Sequence, residues 1–260
     1  MTQFIITGFA IAFAMMAILW TIGMRIRNAA IVDFGWGMGY VLMAVLFVLT
    51  ADGYHTRIFL LAGMVIIWAG RLALHLLRDR IIKGKPEDKR YETIRKNWGG
   101  NIEFKFFLFF QLQAVCIVAF SIPFYIAATN PASSLSGLEI AATGIWFIAV
   151  LGESVADFQL KKFKDSPANS GRVCETGLWH YSRHPNYFFE WLIWVGFSMF
   201  CSASPFGWCA FIPMLIMLYI LTNVTGIPLA EEQSLRSRGD AYRRYQRTTS
   251  KFFPLPPSPV

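Results

Sequence analysis

The chain has 260 residues, 55% of them hydrophobic, with a mean hydropathy of +0.44. Charged residues make up only 15%, against roughly 25% in soluble domains, which excludes an ordinary soluble domain and points to a polytopic membrane protein. A net charge of +8 raises nucleic acid as a partner, but the basic residues follow the loops rather than one binding face, which excludes that reading.

A membrane span needs about 20 apolar residues. The first predicted span, about 4–24, begins at MTQFIITGF, with neither a basic leader nor a small-residue cleavage site, so we read it as a transmembrane helix and not a removable signal. Six more follow at about 30–51, 58–77, 106–128, 138–160, 187–203 and 206–227, with a tail over 228–260. The expected fold is all-α: one continuous domain of seven transmembrane helices over 1–260. All but Arg57 and Arg71 of the 24 Lys and Arg fall after the first span, in the 78–105 and 161–185 loops, or in the tail. The positive-inside rule then sets the N-terminus outside and the C-terminus in the cytosol. Such a topology fits a bacterial inner membrane. Cys116, Cys174, Cys201 and Cys209 form no CxxC pair and read as buried small hydrophobes. No metal-ligand spacing appears.

Ionisable groups inside apolar helices are expensive and usually mark a site. On the second span Asp33, Trp36, Gly37 and Tyr40 share one helical face. Gly35, Gly37 and Gly39 would admit either a neighbouring helix or a flat ligand. On the third span Trp68, Arg71, His75 and Arg78 form a stripe toward the cytosolic end. Arg71 calls for a carboxylate or a phosphate; Asp33, Glu153 and Asp157 are the structural alternatives. Glu153 and Asp157 are i, i+4 neighbours on the fifth span. The richest run is GLWHYSRHPNYFFEW, Gly177 to Trp191. Pro185 suits the first turn of a helix, and Asn186 and Glu190 can face one pocket. Arg172, Arg183 and His184 could neutralise phosphates at its mouth. No GxGxxG follows a strand, so a nucleotide would be held by helices and loops. In the amphipathic basic tail, Glu231, Glu232 and Tyr242 could close over a ligand.

These motifs give the chain a resemblance to the steroid 5α-reductase family, its bacterial relatives in particular. It is strongest over about 145–255 and weaker over 28–80. The SRHPNY element recurs in isoprenylcysteine methyltransferases and in sterol C14 and Δ7 reductases. The Asn-aromatic-x-x-Glu pattern of Asn186, Tyr187 and Glu190 is more telling. The resemblance implies seven transmembrane helices and NADPH-dependent reduction of a conjugated ketone such as a 3-oxo-Δ4-steroid. It implies a cofactor site of Arg71, Arg78, Arg80, Asp157, Lys164, Arg172, Asn186, Tyr187, Glu190 and Tyr242, beside Arg183 and His184. Lys164 stands where the family often has Arg. The family's second-span Glu is matched by Asp33, and Trp68 stands where its third-span Tyr belongs. A protonated Asp33, Tyr40 or His75 is then the candidate proton donor. The expected partners are an apolar lipid or steroid substrate and membrane lipids, with no obligate protein partner. A methyltransferase using S-adenosylmethionine and a non-enzymatic sterol binder are the alternatives.

Overall fold

The computed structural model describes residues 1–82 and 87–258, with the side chains of 79–81 outside the description. Every regular element among the described residues is helical. The helices are α1 (Thr2–Arg25), α2 (Ile31–Thr50), α3 (His55–Leu76), α4 (Lys89–Trp98), α5 (Ile102–Ala128), α6 (Gly137–Asp165), α7 (Leu178–Tyr181), α8 (Pro185–Ser202), α9 (Phe211–Tyr219), α10 (Ile227–Arg238) and α11 (Asp240–Thr248). Two π-helical segments, Leu77–Ile82 and Ile220–Val224, follow α3 and α9.

Among the described residues, six helical stretches are long and apolar enough to cross a membrane: α1, α2, α3, α5, α6 and Gly207–Arg238. They suggest a membrane protein. The expected sixth span forms α8, but Asn186 and Glu190 occupy its first two turns and dilute its 18 residues. The last expected span is not one regular helix. It begins with the 3₁₀ turn Gly207–Ala210, continues as α9, and passes through the π segment into α10.

Local chemistry explains where several helices start. Ser136 and Glu139 form a reciprocal capping box at α6: the Glu139 amide donates to Ser136 Oγ and the Ser136 amide to Glu139 Oε2 (3.2 and 2.7 Å). This satisfies two amides that a helix start leaves orphaned. Asp88 caps α4 by accepting from the Arg90 amide at 2.9 Å. Pro185 opens α8, where its missing N–H costs nothing.

The chain divides into two compact units, Met1–Leu135 with Ser204–Gly207, and Ser136–Ala203 with Trp208–Val260. In the first unit, α2 packs on α1, α3 and α5. Its glycines serve that packing. A Cβ at Gly35 would meet Leu19 and Met16 of α1, one at Gly37 would lie 2.8 Å from the Ala69 carbonyl of α3, and one at Gly39 would meet Ile117 of α5. The three therefore admit neighbouring helices.

Arg57 stands apart from the basic loops, and the structure gives the reason. It is 1% exposed and donates to the carbonyls of Asn130, Ala132 and Ser134 (3.0, 2.8 and 2.6 Å). A buried guanidinium with its donors satisfied by backbone carbonyls is a tie between segments. It does not report which side of a membrane it faces.

In the second unit, α6 and α8 run antiparallel. Trp146 lies against Gly196, Gly152 against Phe189, and Asp157 against Asn186. A Cβ at Gly196 would approach Trp146 Cβ at 2.9 Å and its Cα and N at 3.1 Å. That close approach sets the register of the whole pair.

Candidate functional site

The α6–α8 register brings together the polar residues of the second unit. Asn186 Nδ2 donates to Asp157 Oδ1 at 3.4 Å. Glu190 lies one turn along α8, and its Oε1 accepts from Trp194 Nε1 at 3.2 Å. Asp157, Asn186, Tyr187 and Glu190 are all half-buried, within reach of a ligand yet shielded from bulk water. The Tyr187 ring stacks on His184 with centroids 5.6 Å apart and an interplanar angle of 6°.

The segment leading into α8 is fixed from several sides. Gly177 takes φ 63, and a Cβ there would strike the Gln159 amide. Both the positive φ and the close approach require glycine. Gln159 Oε1 accepts from the Leu178 amide at 2.9 Å, and Trp179 Nε1 donates to the Ala156 carbonyl at 3.0 Å. The Tyr245 hydroxyl donates to the Trp179 carbonyl and also lies 3.2 Å from that of Ser182. Burial pushes the Tyr245 phenol well above its ordinary range and pushes Tyr242 up to about 12, where Glu231 adds to the effect. Both phenols keep their proton at neutral pH.

Arg183 and His184 are 8% and 5% exposed. Arg183 Nε and Nη2 both reach Glu231 Oε1 at 2.7 Å, and Nη1 donates to the carbonyls of Gln246 and Thr249 (3.0 and 2.7 Å). His184 Nε2 lies 3.4 Å from the same Glu231 oxygen. The expectation that these two cations neutralise phosphates meets a different occupation, because Arg183's fork is already used within the chain.

Cationic groups do line an open groove of about 870 Å³ beside α6, between the 166–176 loop and α11. Lys162, Arg172 and Arg244 are its positive residues and Glu175 its negative one. Lys164 and Arg172 are exposed, and the Arg172 carbonyl accepts from Arg238 Nε at 2.8 Å.

In the first unit, Asp33 accepts from Tyr91 at Oδ1 (2.6 Å) and from Arg90 at Oδ2 (3.0 Å). Burial opposes the Arg90 charge, but Asp33, Tyr91 and Asp88 overcome it and raise its pKa. Acceptance at both oxygens suits a charged carboxylate better than a proton donor. Tyr40 is fully buried, its ring 5.2 Å from that of Trp36 and 5.3 Å from that of Trp68. His75 and Arg78 are exposed, while Arg71 is half-buried. The Arg80 side chain lies outside the described residues.

Gln159, Arg244, Tyr245, Arg90 and Tyr91 carry contacts that the sequence reading missed. Tyr245 stands three residues after Tyr242, so helical periodicity could have suggested it, whereas Gln159 stands two after Asp157, a step that turns to the other side of the helix. Nothing in spacing joins Asp33 to residues 57 and 58 positions away.

His184 gives a pH expectation. Burial lowers its pKa below 6.5; Glu231 opposes the shift, and Arg183 and Lys251 add to it. The imidazole is therefore neutral in the folded chain. Sign follows from linkage: a folded pKa below the unfolded one adds stability above about pH 6.5 that is lost as pH falls toward the folded value. The melting temperature should drop on acidification below about 6.5, and His184→Gln should flatten that drop. An unchanged pH profile in the variant would remove His184 as its source.

Residues 19–249 match the family described as a protein of unknown function, DUF1295. An uncharacterised protein of Schizosaccharomyces pombe is 26% identical over 278 aligned residues, covering 96% of this chain and 79% of that protein. No solved structure matches.

Proposed function

The chain belongs to the DUF1295 family, a steroid 5α-reductase-like family, and from that premise we propose that it is a membrane-embedded, NADPH-dependent reductase of conjugated enones. The substrate class is a 3-oxo-Δ4-steroid or a similar apolar lipid. With α8 as a further span, the chain crosses the membrane seven times, with its N-terminus outside and its C-terminus in the cytosol.

The observation that carries this reading is the α6–α8 pairing, which sets Asp157 against Asn186 with Glu190 one turn on; the same unit carries a separate groove lined by Lys162, Arg172 and Arg244. The residue chemistry fits the cofactor. Asp157 and Glu190 offer acceptors for a carboxamide or ribose hydroxyls, Asn186 offers both a donor and an acceptor, and the cations suit phosphates. Arg172 and Lys164 favour the additional phosphate that distinguishes NADPH from NADH.

When bound, NADPH supplies a hydride to the enone β-carbon. The chain's part is to bind, orient and exclude water. Asn186 and Glu190 would hold the carboxamide end, and Tyr187 would offer it a flat surface. Charge developing on the carbonyl oxygen calls for a hydrogen-bond donor in a dry site.

The test is NADPH oxidation by purified protein in lipid nanodiscs, supplied in turn with a 3-oxo-Δ4-steroid and a polyprenyl enal. Enone-dependent loss of NADPH absorbance supports the proposal. The absence of both turnover and NADPH binding would sink it.

A further inference from the structure

The ordered tail after α11 does more than end the chain. It runs back along the segment that enters α8 and is tied to it residue by residue. The Arg183 amide donates to the Ser250 carbonyl at 2.9 Å. The hydroxyl of Ser182, fully buried, donates to the Phe252 carbonyl at 2.8 Å and accepts from the His184 amide at 3.1 Å. The Leu255 amide donates to the Tyr181 carbonyl at 3.0 Å, and the Ser258 amide returns to the Thr248 carbonyl at 2.9 Å. Phe252 is 6% exposed, with its ring 5.8 Å from Phe188 and 5.9 Å from Trp191, both on α8.

Arg183 locks the same assembly from inside. Its fork joins Glu231 of α10 to the last carbonyls of α11 and the start of the tail, and Gln246 Nε2 donates to the other Glu231 oxygen at 3.0 Å. With Nε and Nη2 converging on one Glu231 oxygen and Nη1 on two carbonyls, the planar guanidinium specifies position as well as stabilising. Asn186 lies three residues beyond Arg183, and its partner Asp157 sits on a different helix.

We propose that residues 249–258 form a clasp that sets the position of the first turns of α8, and that Arg183, Ser182 and Phe252 are positioning residues for Asn186, Tyr187 and Glu190. Its functional consequence rests on the proposal that those three hold the nucleotide. Arg183 then acts through the tail and through Glu231 and makes no phosphate contact of its own.

The test uses all 260 residues in nanodiscs with three separate substitutions: Phe252→Ala, Ser182→Ala and Arg183→Lys. Two quantities are read: amide exchange of the 183–190 segment, and NADPH affinity as a function of salt. The clasp predicts faster exchange in that segment and affinity weakened roughly ten- to a hundredfold, the loss a small misplacement can cause. It predicts a salt dependence equal to wild type, since no exposed charge contact to the ligand has been removed. Lysine keeps the charge but cannot make the fork, so Arg183→Lys should weaken binding as the other two do. Unchanged exchange in all three variants overturns the clasp. Faster exchange with unchanged affinity overturns its positioning role. A shallower salt dependence in an Arg183→Gln variant overturns the indirect role by showing a direct phosphate contact. If Phe252→Ala does not fold, Ser182→Ala, which removes a single oxygen, carries the same readings. If wild-type protein binds no NADPH, the proposed function fails, while the exchange measurement still decides the clasp.

Discussion

Glu190→Gln is expected to weaken NADPH binding roughly ten- to over a hundredfold, and Asn186→Ala to weaken it further, with the fold of the free protein retained in both. Glutamine has nearly the shape of glutamate and can still accept from Trp194 Nε1, so the existing 3.2 Å contact has a substitute. What disappears is the negative charge available to a ligand N–H or O–H. Hydrogen bonds to a charged group are worth about 1.5–3 kcal/mol, or roughly ten- to over a hundredfold in Kd. Asn186→Ala deletes both the donor that reaches Asp157 and the amide carbonyl, so a larger loss is expected from it. Isothermal titration with NADPH, paired with thermal unfolding of the free protein, reads both halves. Wild-type affinity in both variants would remove Asn186 and Glu190 from the site.

Gly196→Leu should strongly destabilise the second unit. A Cβ at that position would come within 2.9 Å of Trp146 Cβ and 3.1 Å of its backbone N and Cα. Backbone atoms cannot rotate aside, so the two helices must separate or slide. Forcing extra atoms into a packed interface costs about 1–3 kcal/mol, and leucine adds three further carbons. Gly152→Ala makes a useful contrast, since the obstacle there is the Phe189 ring, which has rotamers available. Gly196→Leu should therefore lower the melting temperature more than Gly152→Ala and should abolish NADPH binding by moving Asn186 off Asp157. If Gly196→Leu melted and bound nucleotide like wild type, the α6–α8 register would not be what assembles the cluster.

The apolar helices were legible because apolar length is a local property that each helix carries in its own sequence. Seven apolar runs became seven helical stretches, although α8 is too polar at its start to rank with the other six. Its first turns are polar for the same reason that they stood out as a motif. Arg57 broke the charge pattern because its partners are three carbonyls in the 130–134 segment, which no periodicity reveals. The α2 glycines illustrate another limit. Two-residue steps on a helix turn about 200°, so Gly35, Gly37 and Gly39 cannot all line one surface, and each meets a different helix.

The candidate site was legible as far as composition and helical spacing reach. Asn186 and Glu190 share a face by periodicity, and Asp157 faces Asn186 in the structure. The role of Arg183 was not legible. Its basicity suggested phosphate, whereas Glu231 and the carbonyls of Gln246 and Thr249 lie 48 to 66 positions later in the chain. Asp33 likewise found its partners on α4, a helix too short and polar to register as part of an apolar bundle.

A ligand that binds only the folded state raises its stability by mass action, by about 2.7 kcal/mol at a hundredfold excess over Kd. Thermal unfolding of the detergent-solubilised protein, titrated separately with NADPH, NADH and S-adenosylhomocysteine, therefore tests the central claim directly. The account predicts a saturable rise in melting temperature with NADPH, a smaller one with NADH, and none with S-adenosylhomocysteine. Stabilisation by S-adenosylhomocysteine with no response to either dinucleotide would contradict it.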